Sequence, residues 1–315
     1  MENDHQPQET TRPYLIVITG PTGVGKTSVC TDLASRFRAP VISADSRQMY
    51  REMRIGTAVP EPEQLEKVKH YFIGNLSVHD YYNASMFEME SLALLETLFK
   101  KTNPVFMAGG SGLYVDAVCK GIDDLPAVDP GLRNELAEKY RSKGIAWLRQ
   151  QLKQLDAEYY AIVDLKNPKR MLKALEICLI TGRPYSSFLL RKKKKRNFGI
   201  VKIGLNLDRK ELYERINRRV DEMIRHGLLA EAKGLYPFRN LNALNTVGYK
   251  ELFDYMEGNT SMEKAIELIK RNSRRYAKRQ LTWLARDRET EWFHPGDKEG
   301  IRAFIENRTG IMAEK

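Results

Sequence analysis

Tyr14-Leu-Ile-Val-Ile-Thr19-Gly20-Pro21-Thr22-Gly23-Val24-Gly25-Lys26-Thr27 joins a short apolar run to a glycine-rich turn that closes on Lys-Thr. The run is β-branched, shows no polar alternation and stops at Gly20-Pro21, so it predicts a strand buried on both faces. The turn matches G-x-x-x-x-G-K-[ST], and helical spacing over Thr27–Phe37 supplies the helix this motif needs on its far side. Strand, turn and helix together make a P-loop. In such a loop the backbone N–H groups of residues 20–27 wrap phosphate oxygens, and the helix N-terminus adds partial positive charge. Lys26 adds a full charge, and the Thr27 hydroxyl is a ligand for Mg²⁺. The pattern specifies an oligophosphate without saying which one.

Working outward, Pro40-Val-Ile-Ser43 reads as a second strand, and strand–helix–strand within about 30 residues is the parallel unit. Glu88–Lys101 follows as a helix with Leu92, Leu94, Leu95 and Leu98 on its apolar side, then Pro104–Ala108 as a third buried strand ending in Gly109-Gly110. After Lys120 the texture changes. Residues 121–130 are turn-rich, and the chain to about Leu190 keeps a helical period with no strand run. Phe198–Leu205 returns to strand character as a fourth strand, and the remainder reads as helical, with long elements over Glu211–Tyr236 and Ser261–Arg288. The fold class is therefore α/β: a P-loop-type parallel sheet core flanked by helices, with an inserted all-helical subdomain. Residues 1–12 form a polar, disordered tail; 13–120 and 197–315 form the core; 121–196 form the insertion.

Lys plus Arg number 52 against 41 Asp plus Glu, a net charge of +11 that favours a polyanionic partner. No apolar run approaches a membrane span and the N-terminus lacks an apolar signal region, so the protein is expected in the cytoplasm. Cys30, Cys119 and Cys178 are too scattered for a disulfide framework or a metal knuckle. Asp45 follows the second strand at the sheet edge where open α/β proteins place ligands. It can hold metal, accept a proton or merely cap the next helix. Ser111, in Gly109-Gly-Ser-Gly-Leu-Tyr114, belongs to a second glycine turn at the same edge.

Several stretches, in order, resemble the tRNA dimethylallyltransferase (tRNA isopentenyltransferase) family. They are the P-loop; Asp45-Ser-Arg-Gln-Met-Tyr50 with Ile55-Gly-Thr-Ala58; Gly109–Tyr114; Asn167–Glu176; Thr246–Leu252; and Lys278-Arg-Gln-Leu-Thr-Trp-Leu284. The likeness spans about residues 14–295. It implies transfer of a dimethylallyl group from dimethylallyl diphosphate to N6 of adenosine 37, beside the anticodon, by a monomer. The family likeness implies that residues 20–27 hold the diphosphate with Mg²⁺ at Thr27. It also makes Asp45 the general base and gives Ser111 and Arg219 to the departing diphosphate. Arg219 lies beside the stripe Leu212, Ile216, Val220 and Met223, a place where an arginine is also an ordinary surface residue.

Contacts to the tRNA anticodon stem-loop are implied for Asp45, Ser46, Arg47, Gln48, Ser111, Arg133, Lys169, Arg170, Met171, Leu172 and Lys173. Further along they are implied for Asn245, Thr246, Gly248, Tyr249, Lys250, Arg274, Arg275, Lys278, Arg279 and Gln280. The element Lys270–Arg288 carries eight basic residues and one acidic one around Tyr276 and Trp283, which suits phosphate neutralisation beside splayed bases. Arg191–Arg196 is six consecutive cations, expected as a solvated loop. Two other readings stay open: an isopentenyltransferase acting on free AMP, ADP or ATP, and a P-loop, nucleotide-dependent RNA-binding protein without prenyl chemistry.

Overall fold

The computed structural model describes residues 12–126, 129–189 and 193–314. The expected tail up to Thr11 and the start of the cationic run, Arg191 and Lys192, lie outside them. The chain divides into two compact units, Lys120–Lys194 and the remainder.

In the larger unit β1 (Tyr14–Thr19), α1 (Lys26–Arg36), β2 (Val41–Ser43), α2 (Pro62–Lys67), β3 (His70–Tyr71), α3 (Ala84–Leu98) and β4 (Val105–Gly109) lead to α4 (Gly112–Lys120). The smaller unit holds α5 (Pro130–Leu155), broken at Gly144, with α6 (Ala157–Ile162) and α7 (Pro168–Thr181). The larger unit resumes with β5 (Gly199–Leu205), α8 (Arg209–Arg225), α9 (Leu228–Leu235), α10 (Tyr249–Met256), α11 (Met262–Leu284), β6 (Thr290–Phe293) and α12 (Lys298–Thr309).

The strands form one sheet in the order β3-β2-β4-β1-β5-β6, every pair parallel. β1 lies inside it and is covered on both sides, as its unbroken apolar run requires. Ile16 and Ile18 pack with Val29 and Leu33 of α1, while Leu15 and Val17 pack with Phe87 and Leu95 of α3. Each such side chain contributes roughly 1.5–3 kcal/mol by leaving water. Because β2, β4 and β1 are neighbours running the same way, the turns at residues 44–48, 110–112 and 20–25 emerge at one edge.

Two strands go beyond the four expected. β3 has two residues, and β6 pairs Lys202–Leu205 of β5 with Thr290–Phe293, in a stretch whose composition reads as helical. Residues 211–236 are also not one helix. Gly227 adopts φ +99°, a left-handed conformation that ends one helical path and starts another, separating α8 from α9.

The expectation of a solvated cationic loop is corrected at its C-terminal end. Arg196 has a side chain only 9% exposed; it donates to Glu88 Oε1 (2.8 Å), itself buried, and to the carbonyls of Ala117 and Val118. A guanidinium in that position needs such saturation, because burying it unpaired costs several kcal/mol. Within the smaller unit the first and last residues meet: Lys194 N donates to the Lys120 carbonyl at 2.7 Å. Leu136, Leu148, Leu152, Met171, Ala174 and Leu175 form that unit's own apolar core. Among the described residues no helix is long and apolar enough to cross a membrane.

Candidate active site

A cavity of about 580 Å³ opens at the edge where the three turns meet. The P-loop lines it with Thr22, Gly23, Gly25, Lys26 and Thr27, the second turn with Asp45, Arg47 and Gln48, and α8 with Arg219. The three charges bear on one another. Lys26 Nζ donates to the Pro21 carbonyl at 2.9 Å. Burial lowers its pKa to about 8, Asp45 opposes that shift, and Arg219 adds to it. Arg219 is likewise lowered by burial and raised by Asp45. Its guanidinium donates to Thr22 Oγ1 (3.1 Å) and to the Thr57 carbonyl (3.5 Å). Arg219 is thus aimed at the P-loop and is not a surface residue. Two half-buried cations beside phosphate-cradling amides constitute a site that gains from an incoming polyanion.

Asp45 does not cap a helix. Its Oδ1 accepts from the backbone N–H groups of Arg47 (2.9 Å) and Gln48 (3.4 Å) in a turn, which fixes the carboxylate on the cavity wall. Ser111 is not a lining residue. Its Oγ accepts from Ser46 N at 3.0 Å and donates to Ser46 Oγ at 3.2 Å, so it braces the Asp45 turn. Tyr276 is on the cavity wall, where burial, with Asp45 adding to it, pushes its pKa up to about 12.

The implied RNA contacts divide sharply. In the larger unit Asn245, Lys250, Arg275, Lys278 and Arg279 are exposed, while Thr246 and Gly248 line the cavity. Arg274 is half-buried and held by Asn217 Oδ1 at 2.6 Å. Tyr249 is fully buried and donates to Glu231 at 2.7 Å, so an RNA contact through its ring is corrected. Gln280 lines the cavity and also braces it: its Oε1 accepts from Thr22 N and its Nε2 donates to the Gly110 carbonyl, both at 2.8 Å, tying one glycine turn to the other. A Cβ at Gly110 would lie 2.2 Å from Gln280 Nε2, so a side chain there would push the Gln280 amide off this bridge. In the smaller unit Lys169 and Arg170 are exposed, and Arg133 and Lys173 reach Glu176. Met171 is fully buried in the apolar core there and Leu172 packs against it, so Met171 does not face RNA.

The sequence profile of the IPP transferase family matches residues 48–287. The chain belongs to the IPP transferase family. Similar relatives include the proteins named tRNA dimethylallyltransferase 1 of Bacteroides fragilis and tRNA dimethylallyltransferase of Christiangramia forsetii. The first is 53% identical over 94% of this chain and 98% of its own, and the second is 50% identical over the same shares. Among solved structures, the full-length tRNA isopentenylpyrophosphate transferase of Bacillus halodurans is 37% identical with a TM-score of 0.69, covering 95% of this chain and 97% of that one. A eukaryotic dimethylallyltransferase solved acting on tRNA shares the fold at 22% identity, with a TM-score of 0.76, covering 96% of this chain and 81% of that one. The family match begins beyond the P-loop, so that motif is a separate observation.

Thr57 escapes the sequence reading as a site residue, although Ile55–Ala58 is one of the family stretches. It contributes through its carbonyl, and no side-chain chemistry signals that. Among the described residues no group of three or more His, Cys, Asp or Glu side chains could hold a metal ion. Thr27 and Asp45 offer hard oxygen donors only.

Proposed function

We propose that this protein transfers a dimethylallyl group from dimethylallyl diphosphate to N6 of the adenosine beside the anticodon in tRNA. The observation that carries the reading is the Asp45 carboxylate, fixed by two backbone amides in one cavity with the P-loop, Lys26 and Arg219. Phosphoryl transfer would call for metal-binding carboxylates around the phosphates, whereas alkyl transfer requires a leaving diphosphate and a base for the incoming amine.

The diphosphate lies against residues 20–27, its charge met by Lys26 and Arg219. Apolar side chains of the same cavity, Ile216, Val220, Met223 and Leu228, suit a five-carbon allylic chain. As N6 forms its bond to the allylic carbon, the carbon–oxygen bond to diphosphate breaks and the N6 proton passes to Asp45. An allylic carbon tolerates cationic character, so most of the acceleration comes from stabilising the departing anion and fixing the amine at attack distance. Mg²⁺ would be held by the Thr27 hydroxyl, with substrate oxygens and water completing its shell, and would share the leaving-group charge. Ser111 keeps the Asp45 turn in place.

RNA is held in the larger unit by Arg275, Lys278 and Arg279, whose exposed cations suit phosphates. Lys169 and Arg170 of the smaller unit, exposed likewise, act as a tRNA-binding patch. The target base must leave its stack to reach Asp45. The enzyme works as a monomer in the cytoplasm. Incubation with labelled dimethylallyl diphosphate and either AMP or an anticodon stem-loop RNA tests the reading. Label should enter the RNA at N6 with release of diphosphate, and label in AMP alone overturns it.

A further inference from the structure

Glu231 lies on α9, outside every motif that points to chemistry. Its carboxylate nevertheless collects four donors. Oε2 accepts from the backbone N–H groups of Arg54 (2.9 Å) and Ile55 (2.8 Å), and Oε1 from Gly56 N (2.9 Å) and the Tyr249 hydroxyl (2.7 Å). Three consecutive amides turned toward one anion form a concave nest, and charged acceptors make the shorter, stronger hydrogen bonds. Tyr249, fully buried on α10, fixes the carboxylate from beneath.

The segment held in this way faces the cavity with its next residues. The Thr57 carbonyl accepts from Arg219, and the Thr57 and Ala58 carbonyls accept from Gln48 Nε2 at 3.2 and 2.9 Å. Gln48 N in turn donates to Asp45, and Arg219 donates to Thr22 of the P-loop. Ala58 sits at φ +45°, a conformation that an alanine holds only when its surroundings impose it. Gly56, Thr57, Ala58 and Val59 all line the cavity.

We propose that Glu231 is a positioning residue for the transfer: by gripping the amides of residues 54–56 it sets the Thr57 and Ala58 carbonyls, which orient Arg219 toward the diphosphate and Gln48 beside Asp45. The inference rests on the function proposed above for the reaction itself, while its effect on anion binding is independent of that reading. A glutamine at 231 keeps the shape but turns an N–H₂ toward N–H donors, which displaces the segment.

The test uses the full-length chain with saturating dimethylallyl diphosphate and an anticodon stem-loop RNA, alongside calorimetric binding of inorganic pyrophosphate. Because a misplacement of about 1 Å can cost on the order of 10²-fold, Glu231→Gln is expected to lower kcat by about 30- to 100-fold with the KM for RNA within about threefold. Pyrophosphate affinity should fall about tenfold, a loss that general destabilisation of a still-folded protein does not produce. Glu257→Gln, which removes a carboxylate that pairs with Arg239 outside the cavity lining, should leave both readouts unchanged. If Glu231→Gln does not fold, Glu231→Asp, which retains the charge and withdraws it by one methylene, is expected to give the same pattern. A kcat and a pyrophosphate affinity both within about threefold of wild type, or an equal loss in Glu257→Gln, overturn the proposal. A wild-type protein that binds pyrophosphate but leaves RNA unlabelled overturns the proposed function instead, and the pyrophosphate comparison still decides the place of Glu231.

Discussion

Replacing Gln280 by methionine separates a bracing role from an RNA-contacting one. The substitution keeps the volume of a side chain 7% exposed and removes two hydrogen bonds, from Thr22 N and to the Gly110 carbonyl. The carbonyl is buried and loses its partner outright, a penalty of about 1–3 kcal/mol. The Thr22 amide borders the cavity and can turn to water, so its loss is nearer the net value of one bond, about 0.5–1.5 kcal/mol. Together these come to about 1.5–4.5 kcal/mol, which for a chain of this size lowers Tm by roughly 2–7 °C. Thermal unfolding followed by circular dichroism reads this shift, and filter binding of the stem-loop reads RNA affinity. The bracing role requires the drop in Tm with RNA affinity unchanged within about twofold, since Lys278 and Arg279 remain. A Tm within about 1 °C of wild type together with RNA binding weakened tenfold or more refutes the reasoning.

Asp45→Asn should bind stem-loop RNA normally and lose about 10²–10⁴-fold in single-turnover transfer, the usual weight of a positioned base. Lys26 has a pKa depressed to about 8, so its positive charge is complete only below that pH. Pyrophosphate binding measured from pH 7 to 10 should therefore weaken as pH rises through 8, by up to about tenfold per unit, and Lys26→Met should flatten the profile. The same shift makes the burial of Lys26 destabilising: the penalty is complete below pH 8, shrinks between 8 and the ordinary lysine value of 10.5, and vanishes above it. Arg196→Met removes a cation that pairs with the buried Glu88 carboxylate and should cost about 3–5 kcal/mol in urea unfolding, more than Arg196→Met combined with Glu88→Leu. Lys278→Ala should weaken RNA binding and reduce its salt slope by about one unit.

The central sheet was legible because β1, β2, β4 and β5 are apolar runs closed by turn residues. β3 is too short to show a period, and β6 is a four-residue edge strand, Thr-Glu-Trp-Phe, with Glu291 and Trp292 exposed and no apolar run to mark it. Lys26 and Thr27 announce themselves by motif, and Asp45 by its place after a strand. Glu231 does not, since a glutamate on a short amphipathic helix looks like any solvated one until the folded segment 54–56 presents its amides to it. Arg196 misleads for the opposite reason: five cationic neighbours suggest water, and only the fold supplies Glu88. Met171 and Tyr249 belong to recognisable stretches, yet helical geometry turns them inward.

The meeting of Lys120 and Lys194 has a consequence for how such proteins diversify. A seventy-five-residue excursion that leaves and re-enters the chain at a single point is, to everything outside it, equivalent to a short hairpin. Ring closure grows costlier only with the logarithm of length, so this module can be enlarged, trimmed or exchanged with little thermodynamic effect on the strands that carry the chemistry. The inserted unit and the sheet can therefore change at different evolutionary rates.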